Sequence, residues 1–139
     1  MIYYLVYNSI ATRPMTDDDL TAILEGARKF NAMSKVTGML LYKSGRFLQV
    51  LEGDEDVVGA LYEKIRRDSR HDDAQVLVTG QQSIRQFPNW SMGFTNLSNL
   101  AEQDIPGFSP FLSDGFNVEE MRRQPQRAYR LLLKFRDSD

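Results

Sequence analysis

The chain contains no cysteine. Disulfide bonds, thiolate catalysis and cysteine-ligated zinc are therefore excluded. Its only histidine is His71, which excludes a multi-histidine metal site. No apolar run approaches the ~20 residues that a membrane span needs. Acids and bases are mixed along the chain and the net charge is -2. No basic patch invites nucleic acid, and no acidic run suggests a disordered tail. The opening segment Met1-Ile2-Tyr3-Tyr4-Leu5 lacks the basic stretch of a signal peptide. A soluble, cytoplasmic protein is expected. A glycine-rich phosphate loop is also missing, because Gly38, Gly45 and Gly53 stand in the wrong contexts for one.

What remains is enough for a folded core. The chain has 139 residues, 42% hydrophobic and 26% charged, which favours one domain and argues against disorder. Residues 2–8 are aromatic and β-branched and read as a strand. Thr16 reads as a helix N-cap, followed by Asp17, Asp18 and Asp19 in the first turn. Leu20, Ile23, Leu24, Ala27 and Phe30 then recur at helical spacing, taking that helix to about Asn31. Residues 36–43 and 46–52 read as a β-hairpin around Ser44-Gly45. A second helix over 54–68 carries Val58, Leu61, Tyr62 and Ile65 on one stripe. Strands over 72–83 and 90–94 follow. The order βαββαβ plus one strand predicts an α+β, ferredoxin-like fold with sheet order 4-1-3-2. Beyond Asn99 the pattern weakens. A last helix over 125–136 is expected, with Ala128, Leu131, Leu132 and Phe135 as its apolar face.

Gln49 interrupts the apolar strand Phe47-Leu48-Gln49-Val50-Leu51-Glu52-Gly53. A buried amide without partners costs ~1–3 kcal/mol, so Gln49 needs a neighbour or a ligand. Strand period 2 puts Tyr3, Leu5 and Tyr7 on one face of the first strand, and Phe47, Gln49 and Leu51 on one face of the third. Where the register aligns them, Tyr7 and Gln49 are cross-strand neighbours on the same central face. They are either a core tyrosine satisfied by a core amide or the polar groups of a site. Taken singly, Asn31 reads as a helix C-cap, and Arg70 and His71 read as a solvated turn. Glu52, Asp54, Glu55 and Asp56 read as a cap and dipole complement for the second helix.

The combination says more than its parts. Leu5-Val6-Tyr7-Asn8-Ser9, Asn31, Thr37-Gly38-Met39-Leu40, Phe47-Leu48-Gln49-Val50-Leu51-Glu52-Gly53, Asp68-Ser69-Arg70-His71 and Trp90-Ser91-Met92 occur in this order. Over about residues 1–97 the chain closely resembles the BLUF family of blue-light sensors that use FAD. The resemblance implies a flavin, FAD with FMN or riboflavin as alternatives, held between the helices on the sheet. Its ring-facing positions match Tyr7, Asn31, Gln49, Arg70 and His71, with Ile23, Leu40 and Phe47 as apolar walls. It also implies light-driven electron and proton transfer from Tyr7 and rearrangement of Gln49, giving a red-shifted state. Trp90 or Met92 is expected near Gln49 and tied to output. The implied organisation is a sensor domain over 1–97 and a C-terminal helical extension over 98–139 packed on the sheet. Output would pass to a separate effector or regulator protein, from a homo-oligomer, with no enzymatic activity in the chain.

Two rivals compete. An acylphosphatase-type hydrolase would use Arg13 after the first strand, although Ile10-Ala11-Thr12-Arg13-Pro14 lacks the glycines of a backbone cradle. A flavin-dependent redox enzyme would need an open substrate pocket and a proton shuttle, for which no candidate stands out.

Overall fold

The computed structural model describes residues 1–85 and 92–96. Seven elements follow in chain order: β1 (Ile2–Ala11), α1 (Asp17–Ser34), β2 (Thr37–Lys43), β3 (Arg46–Gly53), α2 (Glu55–Arg66), β4 (His71–Gln82) and β5 (Gly93–Asn96). The sheet order is β4-β1-β3-β2-β5, with β5 parallel to β2 and the other pairs antiparallel. This is the expected ferredoxin-like sheet with one added edge strand. The last helix expected over 125–136, Trp90 and the whole 98–139 extension lie outside the described residues.

Local chemistry accounts for the boundaries. Thr16 caps α1 by accepting from Asp19 N–H, and the Asp19 carboxylate returns a bond to Thr16 N–H, which satisfies two orphan donors at once. Asp54 caps α2 in the same manner, accepting from the N–H groups of Asp56 and Val57. Ser44 and Gly45 both take positive φ, 51° and 79°, as a two-residue hairpin turn requires. Their geometry sets Lys43 opposite Arg46 and fixes the pairing of β2 with β3. The register of β1 against β4 shifts between Val6 and Tyr7, an irregularity of the kind that re-aims a side chain.

Three sequence expectations need correction. Helix α1 runs through Asn31 to Ser34, and its C-cap is Lys35 in the left-handed region, φ 57°. Asn31 is therefore a buried helical residue and not the cap; a C-cap without glycine gave no sequence signal. Strand β5 starts at Gly93, so Met92 precedes it. Glu52 is not part of the acidic helix start: it is the penultimate residue of β3 and has no exposed surface.

Both helices pack on one face of the sheet. Leu20 and Leu24 of α1 and Val58, Leu61 and Tyr62 of α2 cover Leu5, Tyr7, Leu40, Tyr42, Phe47 and Leu51. The alternate residues Tyr4, Val6, Met39, Leu41, Leu48 and Val50 project from the other face and are also buried. At one end of that face the Glu52 carboxylate accepts from Thr37 Oγ1 at 2.8 Å and Gln82 Nε2 at 2.9 Å. Arg85 donates to Thr37 Oγ1, to Glu52 O and to Lys35 O at 2.7–3.1 Å. This network joins the ends of α1, β2, β3 and β4. Beside it, β2 and β3 approach closely: a Cβ on Gly38 would lie 1.9 Å from Val50 O.

Candidate functional site

A cavity of about 260 Å³ opens between α1, α2 and the helix-covered face of the sheet. Tyr7 from β1, Ile23 and Asn31 from α1, Leu40 from β2, Phe47 and Gln49 from β3, and Arg70 and His71 at the start of β4 all line it. The eight positions that the resemblance assigned to the ring thus converge on one space. Ala27, Leu51, Leu61 and Ile65 add apolar wall. Mostly apolar walls with a few placed polar groups are what a planar, polar-edged ligand needs.

The centre of the site is a short chain of polar contacts. Tyr7 lies directly opposite Gln49 in the β1–β3 register. The Tyr7 hydroxyl donates to Gln49 Oε1 at 2.5 Å. That leaves Gln49 Nε2 pointing away, toward Met92 Sδ at 3.4 Å. All three side chains are buried. Burial, reinforced by the nearby Tyr62 and Asp68, pushes the Tyr7 phenol far above the ordinary range, so Tyr7 holds its proton. Its ring is flanked by Tyr62, with centroids 5.3 Å apart, and by the edge of His71 at 6.2 Å.

His71 is held rather than solvated. Its Nε2 donates to Ile65 O at 2.5 Å and its Nδ1 lies 2.7 Å from Ser9 Oγ. The ring is thereby fixed against Tyr7 and Phe47. Ser9 gave no such signal in the sequence; only the antiparallel return of β4 to β1 brings it to His71. Arg70 is half exposed at the cavity rim, with its guanidinium on the Asp68 carboxylate at 2.5–3.1 Å. The Arg70 hydrogen bond holds Asp68 below the usual carboxylate range. Lys64, also at the rim, sits 5.1 Å over the Phe30 ring.

Of the Trp90–Met92 pair, Met92 lies among the described residues, and it meets Gln49. Its carbonyl accepts from Arg28 Nε at 2.8 Å, a contact from α1 that sequence reasoning missed because the two residues are 64 positions apart. Arg13, which the hydrolase reading required, is instead surface-exposed and paired with Asp19 at 2.8 and 3.0 Å. It faces no phosphate cradle, and that reading has no support.

A ferredoxin-like sheet with an interhelical cavity and a tyrosine–glutamine pair in its floor defines a small cofactor-binding sensor domain. Residues 2–93 match the BLUF family, described as sensors of blue-light using FAD. The chain belongs to that family: it carries a flavin-binding, blue-light-sensing domain. The photoactivated adenylate cyclase subunit beta of Euglena longa is 40% identical over 107 residues, covering 76% of this chain. The chain spans only 12% of that relative's length. Among solved structures, BlsA in its photo-activated state is 30% identical with TM-score 0.70, covering all of this chain and 97% of BlsA. BlrP1 of Klebsiella pneumoniae, in a manganese and cy-diGMP complex, is 29% identical with TM-score 0.76, covering 98% of this chain and 33% of BlrP1. No helix among the described residues is long and apolar enough to cross a membrane.

The cavity suits a flavin ring. Asn31 and Gln49 set amide groups in its wall, and Arg70 sets a guanidinium, paired with Asp68, at its rim. Ile23, Leu40 and Phe47 line the same space with apolar surface.

Proposed function

We propose that this chain is a blue-light photoreceptor that holds FAD non-covalently and signals through the Tyr7–Gln49–Met92 contacts. The observation that carries this reading is the buried hydrogen-bonded trio itself, of which Tyr7 and Gln49 line the interhelical cavity. When bound, the flavin supplies blue-light absorption and an excited-state acceptor for one electron and one proton. Tyr7 is the donor of both: a buried phenol that holds its proton in the dark and aims it at Gln49 Oε1. Asn31 and Arg70 orient the ring, Ile23, Leu40 and Phe47 exclude water from it, and His71 holds the Tyr7 ring in place.

Gln49 is the switching residue. An amide offers an acceptor at one end and donors at the other. Rotation or tautomerisation after the Tyr7 proton leaves and returns would present the opposite polarity to the cavity. In a dry site such a change is felt strongly. FAD is preferred over FMN or riboflavin because it is the flavin in the family's description.

The proposed organisation is a sensor over 1–97 and a C-terminal helical extension over 98–139 for the second sheet face. Support comes from the sequence: Ala128, Leu131, Leu132 and Phe135 recur at helical spacing, and such an apolar stripe needs a surface to cover. The chain performs no chemistry on a substrate and passes its state to a separate effector or regulator protein in the cytoplasm, as a dimer or larger oligomer. Adenylate cyclases occur among the relatives that share the domain.

A light-minus-dark absorbance spectrum tests the reading. The main blue band should shift slightly to the red and relax in the dark, with its oxidised shape retained. Tyr7→Phe should bind flavin and show no shift. A normal photocycle in Tyr7→Phe, or bleaching of the band in the native protein, would overturn the proposal.

A further inference from the structure

Met92 is gripped at two points. Its thioether sulfur meets Gln49 Nε2, and its main-chain carbonyl accepts from Arg28 Nε at 2.8 Å. Arg28 belongs to α1 and lies one turn from both Leu24 and Asn31, which are buried. The guanidinium is itself partly desolvated. A charged donor on a carbonyl in such a setting is among the stronger hydrogen bonds. It fixes the Met92 main chain, and the next residue, Gly93, begins the pairing with Met39.

That restraint matters because methionine is otherwise adaptable. Three rotatable bonds let a thioether sweep a wide volume. Its methyl lies beside Gly38, where a Cβ would sit 3.4 Å from Met92 Cε. With the main chain held, the sulfur is confined near Gln49.

We infer that Arg28 is a positioning residue: by clamping the Met92 carbonyl it holds the sulfur against Gln49 and sets the lifetime of the lit state. The inference rests on the photoreceptor reading above. A thioether accepts weak hydrogen bonds and donates none. The Gln49 amide as it stands points its nitrogen at the sulfur, which is favourable. An amide with its ends exchanged points oxygen at sulfur, two acceptors face to face. A clamped Met92 penalises the exchanged amide and drives it back. A released Met92 swings aside and tolerates it. The clamp also couples the cavity wall to Met92 directly, since the same helix carries Ile23 and Asn31.

Dark-recovery kinetics of the flavin-loaded protein test this, with Arg28→Leu, Arg28→Lys, Met92→Leu and the Arg28→Leu/Met92→Leu double variant. Arg28→Leu should slow recovery ~3–10-fold, the rate equivalent of one modest hydrogen bond. Arg28→Lys, which keeps a donor, should recover faster than Arg28→Leu. The double variant should match Met92→Leu, because Arg28 acts through Met92. Recovery in Arg28→Leu equal to the native rate, or independent slowing in the double variant, would overturn the inference. A second readout needs no light. In protein labelled with [methyl-¹³C]methionine, the Met92 methyl signal should move in Arg28→Leu and return toward its native position in Arg28→Lys. An unmoved methyl overturns the clamp. Failure of the native protein to form any shifted state would instead overturn the photoreceptor reading, while the methyl signal still decides the clamp.

Discussion

Gln49 and Glu52 stand three residues apart on β3, face opposite sides of the sheet and are both buried. Their surroundings differ in kind. Glu52 is an acceptor served by two good donors, Thr37 Oγ1 and Gln82 Nε2, beside a guanidinium that ties the neighbouring backbones. Gln49 has one strong contact, from Tyr7, and one weak one, to a sulfur, and it borders a cavity. A buried polar group whose partners are complete is structural, because every alternative arrangement loses bonds. One whose partners are of unequal strength has somewhere else to go. The same strand therefore carries a fixed polar group on one face and a switchable one on the other.

Exchanging each for leucine should separate the two roles. Glu52→Leu should cost about 3 kcal/mol in urea unfolding, because buried donors lose a charged acceptor, yet keep the light-induced shift. Gln49→Leu should cost only roughly 1 kcal/mol and abolish the shift. Comparable stability losses, or a lost shift in Glu52→Leu, would erase the distinction.

The donor side of Gln49 can be sharpened with alkali. The Tyr7 phenol is raised by burial from its ordinary value of 10.0. The folded state thus keeps a proton that the unfolded chain releases. The stability this provides is complete below pH 10 and falls as pH rises beyond it, by ~1.4 kcal/mol per unit. Unfolding free energy between pH 9.5 and 11 should therefore fall more steeply in the native protein than in Tyr7→Phe. Parallel slopes would mean that Tyr7 is not protonated against its surroundings.

The smallest effect concerns one donor on the Glu52 side. Thr37→Val is nearly isosteric and removes the hydroxyl that bridges Arg85 to Glu52. A loss of about 1 kcal/mol is expected, read as a lower urea midpoint with unchanged slope.

Much of this was legible in the sequence. Period-2 alternation and the βαββαβ order sufficed to put Tyr7 and Gln49 on the same face of neighbouring strands; the register that sets them directly opposite is seen only in the fold. Capping chemistry is local, so Thr16 announced α1. The cavity residues followed from the motif resemblance, and the structure brings all eight to one space. Other features were hidden for stateable reasons. Glu52 looked like the neighbours it resembles in charge, whereas its position within β3 turned it into the sheet. The Arg28, Arg85 and Ser9–His71 contacts depend on tertiary approach across 33 to 64 positions, and no spacing rule reports that. Asn31 was misjudged as a cap because Lys35 adopts the left-handed conformation without being glycine.

Gly38 has a consequence for the alignment of the whole site. The space its missing Cβ would occupy is taken by the Val50 carbonyl at 1.9 Å. Suppose β2 slid along β3 by two residues. Val36 or Leu40 would arrive beside that carbonyl and drive a carbon into it. The alignment that sets Leu40 opposite Gln49 is free of that clash. A hydrogen atom in place of a methyl group thus acts as an index mark for the hairpin, so that the amide arrives at the cavity floor.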